Sequence, residues 1–119
     1  MKKLQQFSFV CAPSIAQYAG LTALKTSIAD HVAQYRAKRD MVYEGLRGKF
    51  KLQRPEGAFY AFVRAPSGDG DGFCARAIER GVLINPGSVF SERGTHFRLS
   101  FAADDTTIRA GIEALCALA

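Results

Sequence analysis

The chemistry on offer in this sequence centres on one arginine. Arg98 stands in the stretch His96-Phe97-Arg98-Leu99-Ser100-Phe101-Ala102, where bulky apolar residues alternate with others. A period of two puts Phe97, Leu99 and Phe101 on one face of a strand and Arg98, Ser100 and Ala102 on the other, so Arg98 is expected to point away from the core. A guanidinium keeps its charge at any pH a protein meets and must find water, a carboxylate or a phosphate. On a solvated sheet face it would do nothing further; lining a cleft, its planar fork would take both oxygens of a carboxylate. Two glycine turns, Gly57 in Pro55-Glu56-Gly57 and Gly87 in Asn85-Pro86-Gly87-Ser88, mark places where backbone can come close to a ligand or another chain.

Little else competes with that arginine. His31 and His96 are single and far from any cluster of carboxylates or thiols, so no metal site and no catalytic triad is expected. Cys11, Cys74 and Cys116 are odd in number, widely spaced and set among apolar residues, which predicts reduced thiols packed in a cytoplasmic protein. No apolar run has the length of a signal peptide core or a membrane span. The net charge of +5 permits an anionic partner without selecting one. A basic run, Arg36, Lys38, Arg39, Arg47, Lys49, Lys51 and Arg54 against only Asp40 and Glu44, suits a polyanion-binding module. It lacks the aromatic platform of a nucleic-acid site, and a solvated helix face accounts for it, so neither nucleic acid nor membrane is expected as a partner.

The elements that must position Arg98 follow from the hydrophobic pattern. With 119 residues, 48 per cent of them hydrophobic, the chain can bury one modest core. Leu21, Ile28, Tyr35 and Val42 recur at intervals of seven, with Leu24, Val32 and Leu46 between them, which predicts one long helix from Ser14, after Pro13, to Gly48. Such a helix overhangs a domain of this size. Phe7, Phe9 and Cys11 alternate with Ser8 and Val10 as the end of a buried strand would. Residues 1–13 are therefore expected to be a remnant of an upstream domain, 14–48 an interdomain helix and 49–119 an α+β module.

Within that module, Phe50 to Pro66 reads as a strand, a turn and a second strand covered on both faces. Asp71 is expected to cap a helix over Phe73–Arg80 that Gly81 stops. A strand over Val82–Ile84 and another over Phe97–Phe101 follow. Asp104 caps a last helix that turns Ile108, Ile112, Leu115 and Leu118 inward. The fold class is α+β, with a small, mainly antiparallel sheet packed against helices.

Taken in order, "APSIAQYAGLTAL", "PEGAFYAF", "GVLINPGSVF" and "RLSFA" carry a resemblance over nearly the whole chain. They resemble the carboxyl-terminal, small domain of the class I and II aminotransferases, the fold-type I enzymes that use pyridoxal 5'-phosphate. The resemblance implies that Arg98 binds the α-carboxylate of the amino acid or 2-oxo acid substrate. It implies that Gly57 lets backbone approach the substrate, that Tyr60 walls the cleft, that Gly87 keeps its turn open beside it, and that Ser14 lies near the cofactor phosphate of the neighbouring subunit of a homodimer. Asn85 departs from the pattern, which has an apolar residue there. The family's Schiff-base lysine belongs to a serine-rich turn that no lysine here matches, so no catalytic residue is assigned and the chain by itself is expected to be inactive. Its expected part is to hold the carboxylate and close the site. Lyase or decarboxylase chemistry on the same scaffold, and a stand-alone carboxylate-binding or oligomerisation module, are the alternatives beside the polyanion-binding one.

Overall fold

The alternation around Arg98 does build a strand, and three others join it. The computed structural model describes residues 1–119, with elements in the order α1 (Lys2–Ser8), α2 (Ser14–Ala23), α3 (Ala29–Leu46), β1 (Lys51–Leu52), β2 (Tyr60–Arg64), α4 (Gly70–Glu79), β3 (Asn85–Pro86), a 3-10 turn (Gly87–Val89), β4 (His96–Ser100) and α5 (Asp105–Leu118). They form two units, Met1–Asp30 and His31–Ala119.

In the second unit the sheet runs β1-β2-β4-β3, every neighbouring pair antiparallel. The β2–β4 register sets Tyr60 opposite Ser100, Phe62 opposite Arg98 and Arg64 opposite His96. Ala61, Val63 and Phe97 turn to the other face and are buried with Phe101, with Phe73 and Ala77 of α4, and with Leu46 and Leu115 from α3 and α5. Phe73 and Phe97 stack with centroids 5.0 Å apart, and Phe50 meets both edge-on at 5.7 and 6.0 Å. Each such ring contributes about 1.5–3 kcal/mol by leaving water, and ring-on-ring geometry adds about 0.5–1.5 kcal/mol per pair. The fold is the α+β arrangement expected, helices against a small antiparallel sheet.

Local signals end the helices. Asp104 caps α5 by accepting from the Thr107 amide at 2.9 Å. Gly81, at φ +76°, supplies the left-handed residue that closes α4, and the Val82 amide reaches back to the Ala77 carbonyl at 2.9 Å.

Several expectations are corrected. The helix expected over 14–48 is two helices, α2 and α3. Between them Thr26 Oγ1 donates to the Thr22 carbonyl at 2.9 Å and Ser27 Oγ accepts from the Ala29 amide at 3.3 Å, so two short polar side chains take backbone groups that a continuous helix would use. Of residues 7–11, expected as a strand end, Phe7 and Ser8 lie in α1 and the rest follow it, because Lys2 to Gln6 are good helix formers and the alternation is too short to outweigh them. Strand pairing on the sheet edge falls at Asn85–Pro86 rather than Val82–Ile84, since the Val82 amide is spent on the end of α4. The cap of α4 is Asp69, which accepts from the Gly72 amide at 2.9 Å, and Asp71 instead accepts from the Ser88 hydroxyl at 2.7 Å. Finally, β2 is covered on one face only: Ala61 and Val63 are buried, whereas Phe62 keeps 38% of its surface exposed.

In the first unit, α1 and α2 bury no residue. Leu4, Phe7, Phe9, Ile15, Tyr18 and Leu21 are all exposed there, and Val10 takes a left-handed backbone at φ +55°.

Candidate carboxylate site

Arg98 sits at the middle of β4, flanked by Phe62 on β2 and Asn85 on β3. Its guanidinium carbon lies 4.3 Å from the centroid of the Tyr60 ring and 3.8 Å from that of Phe90, so two aromatic rings grip one cation. A cation over an aromatic face gains about 0.5–2 kcal/mol, the larger value where water is excluded. The Arg98 Nε is buried and has no hydrogen-bond partner. A buried charged donor left without an acceptor costs about 1–3 kcal/mol or more. No carboxylate of the chain answers it, because the ion pairs are Arg39 and Arg54 with Asp40, and Arg47 with Glu44. The side chain is thus held in place by its neighbours and short of an acceptor, which is what a waiting carboxylate ligand requires.

Phe90 is the member of the grip that sequence reasoning missed. It follows the 3-10 turn Gly87–Val89, where the amides of Phe90 and Ser91 both donate to the Gly87 carbonyl, at 2.9 and 3.0 Å. The bond from Ser88 to Asp71 ties this turn to α4. Gly87 is buried, and a Cβ on it would lie 2.6 Å from the His96 carbonyl oxygen and 2.8 Å from that of Arg93. The chain's own packing therefore demands glycine at this position. Glycine here seats the turn that carries Phe90.

The remaining expected residues fall as follows. Tyr60 is half-buried beneath Arg98, with Phe59 at 4.4 Å beside it. Gly57 is exposed, with open space where a side chain would go, and the left-handed backbone of its turn falls on Ala58 at φ +57°. Ser14 is the exposed first residue of α2, in the other unit, and Pro13 is the cap. The site accordingly joins Arg98 with Tyr60 and Phe90.

His96 shares the Arg98 face and lies on an inner strand of the sheet. It stacks flat on Phe62, centroids 5.0 Å apart, and its Nδ1 shares a hydrogen bond with Thr95 Oγ1 at 2.8 Å. Burial first, then the charges of Arg93 and Arg64, hold its pKa below the usual histidine value.

The basic run does not make a continuous stripe. Lys38 donates to the Ala103 carbonyl, Lys49 to that of Cys116 at 2.7 Å, Arg39 and Arg54 converge on Asp40, and Arg47 pairs with Glu44 at 2.7 Å. Arg54 first, with Arg39 adding to it, lowers the Asp40 carboxyl pKa against the opposing effect of desolvation. Of the cysteines, Cys74 is buried and its thiol is pushed up to about 11, by burial first and then by Asp71 and Asp69. Cys11, expected to pack in a core, is exposed because the segment carrying it has none. No three His, Cys, Asp or Glu side chains are placed to share a metal ion. No helix is long and apolar enough to cross a membrane.

Comparison with known proteins places this geometry in context. No family model matches the chain. It is 41% identical over 107 residues to a probable aspartate aminotransferase of Methanocaldococcus jannaschii, covering 86% of this chain and 28% of that protein. Over 117 residues it is 38% identical to an aspartate aminotransferase of Thermotoga maritima, covering 97% and 30%. The crystal structure of an aspartate aminotransferase from Thermotoga maritima superposes with a TM-score of 0.86 at 33% identity, over 95% of this chain and 30% of that one. A Methanococcus jannaschii structure, described as similar in its active site to kynurenine aminotransferases, gives 0.87 at 28% identity, over 98% and 34%. The chain spans about three tenths of the length of these curated relatives.

Proposed function

The chain belongs to the fold-type I aminotransferases as their carboxyl-terminal, small domain, and from that premise we propose that it binds the α-carboxylate of an amino acid or 2-oxo acid through Arg98 in a parent enzyme that transfers amino groups. The observation that carries the proposal is the buried Nε of Arg98, which has no partner, in a guanidinium fixed between Tyr60 and Phe90. Two parallel bonds to a carboxylate would answer that donor and fix the substrate's orientation, so that the reacting carbon is presented in one pose. The two rings lie against the guanidinium and lower the polarity around it, which strengthens its attraction for the carboxylate.

The family's cofactor, pyridoxal 5'-phosphate, supplies the electron sink for amino-group transfer when bound. Of the groups it would need, this chain offers one exposed hydroxyl, Ser14, at the start of a helix without a side-chain cap. That set does not make a pocket for the cofactor. The part assigned to the chain is substrate binding, positioning and closure. In the proposed parent, a cytoplasmic homodimer, Arg98 and the Gly57 turn move onto the bound carboxylate as the small domain closes.

The test is made on the enzyme expressed from the complete reading frame. Charged hydrogen bonds contribute about 1.5–3 kcal/mol each. Arg98→Gln should therefore raise KM for the amino acid about 100-fold or more, and Arg98→Lys, which keeps the charge and loses the fork, should fall between. Inhibition by simple carboxylates should weaken in parallel, while the absorbance of bound cofactor stays that of the unsubstituted enzyme. Unchanged KM and carboxylate inhibition in Arg98→Gln would overturn the assignment.

A further inference from the structure

A second concentration of positive charge lies on the same sheet face, two residues along the strands from Arg98. The register sets Lys51 opposite Arg64 and Arg64 opposite His96. Residues directly opposite share a face, so β1, β2 and β4 place an ammonium, a guanidinium and an imidazole in one row. The adjoining pair, Leu52 and Val63, takes the other face, and Val63 is fully buried, which assigns the row to the side away from the core. Arg93, in the loop before β4, adds a third cation, whose charge reaches His96 together with that of Arg64.

This arrangement works against the fold. Like charges directly opposite one another destabilise a sheet, and the side chains of Lys51, Arg64 and Arg93 make neither ion pair nor hydrogen bond within the chain. They border a groove of about 770 Å³ that has no carboxylate among its lining residues and whose walls include Tyr43 and Phe62. Arg39, Arg47 and Arg54, by contrast, each have an acidic partner. A doubly charged anion in the groove would turn mutual repulsion into attraction for every member of the row. Three donors of different shape, converging from three strands, suit the three oxygens of a tetrahedral group, whereas a flat carboxylate suits the single fork of Arg98.

We propose that Lys51, Arg64, His96 and Arg93 form a binding site for a phosphate-type dianion, separate from Arg98 and independent of the function proposed above. The group is either inorganic phosphate or the phosphate of a monoester whose apolar part lies on Phe62 and Tyr43.

The chain carries its own reporter and its own control. A bound dianion favours the imidazolium form, so phosphate should raise the pKa of His96 saturably, with one phosphate per chain. His31, exposed and outside the row, should not move. The experiment is a proton–nitrogen NMR titration of both histidines with sodium phosphate at constant ionic strength, repeated with phenyl phosphate and with acetate. Arg64→Gln should weaken phosphate binding tenfold or more, and Lys51→Gln should do so to a smaller degree. Both positions are exposed, so neither change threatens folding. Tighter binding of phenyl phosphate assigns the site to a monoester, and equal affinity assigns it to inorganic phosphate. A His96 response that does not saturate, that acetate reproduces, or that survives Arg64→Gln unaltered would overturn the proposal.

Discussion

The two units of this chain carry the same kinds of apolar side chain and treat them in opposite ways. In Met1–Asp30, Leu4, Phe7, Phe9, Ile15, Tyr18 and Leu21 lie exposed and nothing is buried. In His31–Ala119, Phe73, Phe97, Phe101, Leu46 and Leu115 are fully buried around one sheet. Apolar content alone does not explain the difference. Two helices of 7 and 10 residues are too short to be stable by themselves and offer no surface wide enough to close a core. A four-stranded sheet gives α3, α4 and α5 a common face to cover. The second unit thus holds its own stability, and Arg98 is built onto it. The apolar surface of the first is of the kind that marks an interaction face.

The largest expected effect tests where the stability resides. Phe97 stands at the junction of the aromatic trio and is fully buried. Phe97→Ala should cost about 3–5 kcal/mol, read as a lower urea midpoint with an unchanged slope. A loss below that range would mean that the core is less closed than the geometry says. Next comes Gly70, where a Cβ would overlap the His96 carbonyl oxygen and lie 2.8 Å from that of Gly94. The Gly70 amide also donates to the Gly94 carbonyl at 2.8 Å, so helix and loop have no room to part. Gly70→Ala should cost about 1–3 kcal/mol by forced displacement. Because the crowded loop leads into β4, it should also shift the NMR signals of His96.

How much of this was legible in the sequence depends on the range of the signal. The outward face of Arg98, the Asp104 cap and the Gly81 stop were readable because alternation and capping are settled within a few residues. The break between α2 and α3 was not, since the stripe Leu21, Ile28, Tyr35, Val42 runs straight through it and only Thr26 and Ser27 hint at competition for the backbone. For the site, Arg98 and Tyr60 were named, but Phe90 was not. Its place over the guanidinium depends on how the Gly87–Val89 turn packs beneath β4, which no period in the sequence encodes. The row of Lys51, Arg64 and His96 was equally hidden, because it exists only once three strands are in register.

Cysteine reactivity sharpens the same comparison at smaller scale. Cys11 is exposed in the first unit and Cys74 is buried in the second. The Cys74 thiol is raised to about 11 from a reference of 9.0, chiefly by burial, so the folded state resists its ionisation. A raised thiol pKa contributes stability that is complete below the reference value and is lost as pH climbs from about 9 toward 11. Iodoacetamide at pH 8, followed by mass spectrometry, should modify Cys11 rapidly and leave Cys74 intact. The urea midpoint of the second unit should begin to fall above pH 9. Equal labelling of the two thiols would erase the distinction between the units.

The smallest effect is the most discriminating, because it asks for no change at all. If Met1–Asp30 adds nothing to the core of His31–Ala119, then Phe7→Ser and Leu21→Ser remove apolar surface that is already in water. Substitutions at such positions stay within about 0.5 kcal/mol, so the urea midpoint of the second unit, followed by the near-ultraviolet circular dichroism of its aromatic residues, should not move. Solubility should improve, since two large apolar groups leave the surface. A loss of 1 kcal/mol or more in either variant would mean that the first unit helps to hold the second, and the ring pair over Arg98 would then depend on residues far from it in sequence.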